Sequence, residues 1–118
     1  MSNDALHRVC GVRELPPGAR IIIEAAGKAI GVFNVNGRFV AVLNVCPHEL
    51  APVCSGALVG TTSASKPGEY SYHRDGEIIR CPWHGWEFDL FTGECLVDRR
   101  RLKTFEVEVQ DQIVYVRC

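Results

Sequence analysis

Apolar and polar residues alternate with a two-residue period along most of this chain, and almost no stretch carries the 3.6-residue period of an amphipathic helix. Residues 20–24 (RIIIE) form a short apolar run behind the breaker Pro16-Pro17-Gly18. The runs AIGVFNV (29–35) and RFVAVLNV (38–45) flank Asn36-Gly37, a dipeptide that favours a two-residue hairpin turn. In the second run Phe39, Ala41, Leu43 and Val45 fall on one face, which predicts a half-buried strand. A second hairpin is predicted for KTFEVEV and IVYVR across Gln110-Asp111-Gln112, with Phe105, Val107 and Val109 alternating with Glu106, Glu108 and Gln110. A third is predicted for EYSYHRDGEIIRC, turning at Asp75-Gly76. The pattern predicts an all-β domain of stacked antiparallel sheets. It comprises a β base at 1–45 and 96–118 and an inserted, loop-rich lobe at about 46–95.

With 118 residues the chain has the length of one domain that can bury a core. A formal charge of −1 gives none of the basic excess of a nucleic-acid binder. No apolar run is long enough to span a membrane, and the N-terminal MSNDALHRVCGVREL lacks the apolar stretch of a signal peptide. The expectation is a cytoplasmic protein whose six cysteines stay reduced.

Two Cys/His pairs carry the chemistry. Cys46 and His48 stand two apart in NVCPHELAP, and Cys81 and His84 three apart in CPWHGWEFD. At strand spacing, Cys46 and His48 can face one site, while Pro47 and Pro82 stiffen the two loops and Gly85 permits a tight turn. Two thiolates and two imidazoles suit either zinc or an iron–sulfur cluster. Structural zinc sites more often pair like with like, Cys with Cys and His with His. One Cys and one His from each loop matches the cluster whose irons are held by two Cys and two His respectively.

With Thr92-Gly93 following the second box, these segments resemble the paired boxes of the Rieske 2Fe–2S family. The resemblance implies one 2Fe–2S cluster, with Cys46 and Cys81 on the inner iron and His48 and His84 on the outer, more exposed one. Two thiolates and two neutral imidazoles leave the oxidised site uncharged. Four thiolates would leave it at −2, which makes an added electron harder to accept. Histidine ligation therefore lifts the potential into a range of roughly −150 to +300 mV. High-potential members carry a serine and a tyrosine hydroxyl near the cluster sulfurs and a disulfide between the loops. The aligned positions here hold Trp86 and Phe88, and Ala51 and Trp83, none of which supplies those groups. This implies a potential near the low end. Between His48 and Cys81 lie 32 residues, about twice the length in compact Rieske ferredoxins, and Glu49-Leu50-Ala51-Pro52 lacks the family's glycine.

No nucleophile–base pair, phosphate loop or nucleotide fingerprint is present. By the resemblance, the large oxygenase subunits add a mononuclear-iron domain, and the expectation from the short stretch after the second box is that this protein is not such a subunit. The resemblance implies a one-electron carrier rather than an enzyme, taking electrons from a flavin-containing ferredoxin reductase and giving them to a terminal ring-hydroxylating oxygenase through transient contacts. The alternatives are a non-catalytic Rieske subunit of a larger oxidoreductase, such as assimilatory nitrite reductase, and a structural zinc module. Trp83 and Trp86 are read as covering the cluster or docking partners, and Cys10, Cys54, Cys95 and Cys118 as small core residues, with Cys118 open to exposure at the terminus. His73 reads as a surface residue, and Arg99, Arg100, Arg101 and Lys103 as a solvated basic run. Glu87, Asp89 and Glu94 are candidates for steering a basic partner.

Overall fold

The structure, a computed structural model, describes residues 5–46, 52–66, 69–82, 86–96 and 99–118, with backbone alone for 60–66 and 69–76. Among the described residues nine strands follow one another: β1 (Leu6–Gly11), β2 (Arg20–Ala25), β3 (Lys28–Val35), β4 (Arg38–Leu43), β5 (Ala57–Lys66), β6 (Glu69–Arg80), β7 (Glu87–Asp89), β8 (Thr104–Gln110) and β9 (Ile113–Arg117). Six form the base sheet in the order β1-β9-β8-β4-β3-β2, and β5-β6-β7 form the sheet of the lobe. All pairings are antiparallel, as the alternation predicts. No helix among the described residues is long and apolar enough to cross a membrane.

Three two-residue turns set the register of the base sheet. Ala26-Gly27, Asn36-Gly37 and Asp111-Gln112 all have positive φ, the conformation that matches the right-handed twist of the paired strands. Asn34 braces the middle turn. Its amide nitrogen donates to the Leu15 carbonyl and its Oδ1 accepts the Gly37 N–H, both at 2.8 Å, so a buried polar side chain is satisfied.

The central strands are buried on both faces, not the single face their sequence suggests. Phe39 and Ala41 of β4 join one core with Ile30, Val32, Val114 and Val116. The alternate residues Val40 and Val42 join a second core with Phe33, Val35, Ile79, Phe88 and Leu90. The alternation misleads because both sets are apolar and a second sheet covers the outer face. Val109, beside the last turn, is exposed rather than part of a buried stripe.

The turn expected at Asp75-Gly76 is not there. β6 runs unbroken from Glu69 to Arg80 and pairs with β5. Between Val59↔Ile78 and Thr61↔His73 the chain advances two residues in β5 and five in β6, so Asp75-Gly76 sits in a bulge. The turn-forming dipeptide relieves a register mismatch here instead of reversing the chain. The 32-residue spacing between the ligand boxes is thus largely one long hairpin. β1, which pairs with β9 and closes one edge of the base, was not anticipated.

Candidate metal centre

The two loops that carry the expected ligands leave the ends of strands. Cys46 follows β4 through Asn44 and Val45, and Cys81 follows β6 directly. The backbone N–H of Cys81 donates to the Trp86 carbonyl at 2.7 Å, which closes the second loop at its root. Beyond that bond Arg80 and Glu87 face each other across β6 and β7, and their side chains form an ion pair at 2.9 Å. The first loop is closed in the same manner by a side chain: Asn44 Oδ1 accepts the N–H of Cys54 at 2.8 Å.

Pairing of β5 with β6 brings the loops together. Ala57 lies opposite Arg80, so the exit of the first loop adjoins the entry of the second. Gly56 makes this approach possible, since a Cβ there would stand 1.8 Å from the Arg80 carbonyl oxygen. Cys46 and Cys81 are both buried in the core that also holds Val53, Cys54, Ile79, Phe88 and Leu90, with Trp86 packed against it. His48 and His84, the other expected ligands, lie outside the described residues, as do Ala51, Trp83 and Gly85. Of His73 only the backbone is described, paired with Thr61.

None of the six cysteines is in a disulfide. Two of them converge on one apolar core at the roots of adjoining loops, and each belongs to a box with a histidine. That donor set fits an iron–sulfur cluster held from the protein side by soft ligands in a water-poor setting. Cys54, one 3-10 turn (Val53–Ser55) beyond the first loop, is fully buried, and burial pushes its thiol up to about 12. It is a packing residue, as are the buried Cys10, Cys95 and Cys118. Burial of Cys118 at the terminus follows from hydrogen bonds in both directions between its backbone and that of Ala5.

The charged residues near the second box are largely engaged in local structure. Glu87 pairs with Arg80 and Glu94 with Arg101, while Asp89 Oδ1 accepts the N–H groups of Phe91 and Thr92. Arg99, Arg100 and Arg101 are exposed, and the Arg100 guanidinium lies over the Trp86 ring at 5.7 Å. Gly93 of the Thr-Gly pair has φ of 81°, and a Cβ on it would meet the Leu102 carbonyl at 2.4 Å.

Four residues that support the site were not singled out from sequence: Arg20, Gly31, Asn44 and Gly56. Gly31 had a readable signal, an isolated glycine inside the strand pattern AIGVFNV, which commonly marks a close approach.

Comparison with known proteins agrees with this geometry. Residues 5–106 match the family described as Rieske [2Fe-2S] domain. Ferredoxin CarAc of Metapseudomonas resinovorans is 31% identical over 115 residues, covering 92% of this chain and 90% of that protein. Among solved structures, a chain in the complex of reduced oxygenase and oxidized ferredoxin in carbazole 1,9a-dioxygenase superposes with a TM-score of 0.74 at 29% identity, covering 93% of this chain and 99% of its own. The putative NADH-dependent nitrite reductase small subunit from Mycobacterium tuberculosis reaches a TM-score of 0.75 at 20% identity, covering 99% and 97%, a likeness of fold. The chain belongs to the Rieske 2Fe–2S domain family, and its cofactor is a Rieske-type 2Fe–2S cluster.

Proposed function

We propose that this protein carries single electrons from a flavin-containing reductase to a terminal Rieske oxygenase, and that Cys46, Cys81, His48 and His84 hold its cluster. The observation that carries the reading is the convergence of Cys46 and Cys81, buried in one core at the roots of two adjoining loops. When bound, the cluster supplies a one-electron couple. The protein side of the work is holding and shielding. Cys46 and Cys81 grip from inside a core that excludes water, and Trp86 covers its flank. The loop-root bonds Cys81 N–H to Trp86 and Cys54 N–H to Asn44 limit how far either loop can shift when the charge changes. The lobe and base act as one unit in this proposal, because Phe33, Val35, Val40 and Val42 of the base complete the core around the cysteines.

The relatives support a carrier. CarAc is itself a ferredoxin, and the matched carbazole dioxygenase chain belongs to a complex of ferredoxin with oxygenase. The likeness to a nitrite reductase small subunit is one of fold and does not favour a fixed-subunit role. The test is stopped-flow bleaching of the iron-loaded protein by NADH and a ferredoxin reductase, followed by reoxidation with substrate-bound oxygenase. A carrier cycles repeatedly at substoichiometric amounts. A protein that is not reduced by any such reductase, and that purifies in fixed ratio with a large subunit, contradicts the proposal.

A further inference from the structure

The first ligand loop is gripped by the base sheet through side chains that do not themselves belong to either Cys/His box. Asn44 is anchored by its backbone N–H to the Ala29 carbonyl at 2.9 Å, and its Oδ1 accepts the Cys54 N–H at 2.8 Å. Residues 44 and 54, which flank the segment that contains Cys46, are thus tied to each other. On the far side Arg20 donates from one guanidinium nitrogen to the carbonyl of Cys54 at 2.8 Å and to that of Gly56. The Arg20 guanidinium is steadied over the ring of Phe33, its partner across β2 and β3, at 5.7 Å. Beneath them the Cys54 side chain fills the space left by Gly31, where an added Cβ would stand 2.3 Å from its Sγ. Two strands of the base, β2 and β3, and the residue just past the end of β4 therefore converge on one short peptide, Cys54 to Gly56, directly after the loop.

A fold that only needed Val53 and Cys54 buried has their apolar contacts for that purpose. The hydrogen bonds do something else: they fix the backbone orientation of the segment on which the loop ends. We infer that Asn44 and Arg20 are positioning residues for the cluster, holding the exit of the first ligand loop to the base sheet so that Cys46 stays aligned with its partner ligands. The inference rests on the reading of Cys46 as a ligand. Neither residue needs to touch the cofactor. Loss of the Asn44 acceptor leaves the N–H of the buried Cys54 without its partner, and loss of the Arg20 donors frees two carbonyls at once.

The test uses the iron-loaded protein and four variants. Asn44→Ala removes the acceptor, Asn44→Asp keeps an acceptor oxygen in the same place, and Arg20→Met keeps the stem without donors. Val114→Ala, in the other core, is the control for destabilisation alone. The readings are the rate of iron release to excess chelator, followed by loss of visible absorbance, and the electron paramagnetic resonance spectrum of the reduced protein. Asn44→Ala and Arg20→Met are expected to release iron roughly tenfold faster, the scale of one buried hydrogen bond lost, with shifted or broadened signals. Asn44→Asp is expected to keep the wild-type rate. If both disruptive variants release iron no faster than Val114→Ala at matched loss of melting temperature, with unchanged spectra, the inference is overturned. If Asn44→Ala does not fold, Arg20→Met decides alone, since its freed carbonyls can turn to water. Cys46→Ser separates the layers. Should it too retain iron and spectrum, the ligand reading fails, whereas loss of iron there with no effect of the positioning variants refutes only the inference.

Discussion

Gly56→Ala probes the contact that joins the two Cys/His loops. The backbone at Gly56 has φ of −75° and ψ of 173°, which alanine adopts without strain. By that measure alone the substitution would stabilise by about 0.4–1 kcal/mol, because alanine restricts the unfolded chain. The packing acts in the opposite direction. The new Cβ would lie 1.8 Å from the Arg80 carbonyl oxygen, 2.9 Å from its carbon and 3.1 Å from the Val53 carbonyl oxygen. Carbon–oxygen contacts in proteins settle at about 3.3 Å, so something must move by about 1.5 Å. Nothing nearby is loose: Arg80 is paired on both sides, to Ala57 and to Glu87, and leads directly into Cys81. Overpacking against side chains that can yield costs about 1–3 kcal/mol, and a backbone obstacle places this case at or above the upper end. The net expectation is a loss of about 2–3 kcal/mol, a fall in melting temperature of about 10 °C for a domain of this size. Calorimetry of the metal-free protein reads the packing cost, and iron content after reconstitution reads the loop geometry. Melting within a degree of wild type, with full iron content, would refute the close approach as the element that joins the loops.

Cys54 is expected to resist thiol reagents at pH 8 in the folded protein and to react on unfolding, because burial holds its thiol at about 12; rapid labelling of the native state by mass spectrometry would contradict this. Phe88 is fully buried in the same core as Cys46 and Cys81, and Phe88→Tyr is expected to raise the potential by about 60 mV if its hydroxyl reaches the cluster, the one-electron equivalent of a hydrogen bond worth about 1.4 kcal/mol. An unchanged potential in a folded, iron-loaded variant would show that residue 88 does not face the sulfurs. A hydrogen bond from Arg117, and then its charge, hold the Glu108 carboxyl below the ordinary carboxylate range. The unfolded chain therefore binds that proton more readily. The contribution is present above the ordinary carboxylate value and lost as pH falls through the lowered one, so Glu108→Gln should flatten the decline of melting temperature below about pH 5. An identical acid limb in the variant would exclude the ion pair as its cause.

The sheet content was legible because strands write their period into the sequence, and the turns at Asn36-Gly37 and Asp111-Gln112 lie where the intervening polar residues place them. What sequence could not show was which face a second layer covers. β4 reads as half-buried, yet Val40 and Val42 are as enclosed as Ala41, since the lobe packs on the side that an isolated sheet would leave to water. Asp75-Gly76 shows a related limit: the dipeptide favours a sharp local bend, and only the pairing partner decides between a turn and a bulge. The cysteines proposed as ligands stood out through their prolines and paired histidines. Arg20 and Asn44 did not, because a side chain that binds a distant backbone carbonyl or N–H needs no local motif. Their partners lie 34 and 10 residues away, a relation set by topology alone.

The central claim is a Rieske cluster of low potential, held by Cys46, His48, Cys81 and His84 in an electron carrier. Film voltammetry of the purified protein from pH 6 to 10, with iron and acid-labile sulfide measured on the same sample, tests it most directly. The account predicts two irons and two sulfides per chain and a reversible one-electron wave near roughly −150 mV that falls at alkaline pH as the imidazoles lose their outer protons. A wave several hundred millivolts higher would contradict the reading of Trp86 and Phe88, and a colourless, sulfide-free zinc protein with no wave would contradict the cluster itself.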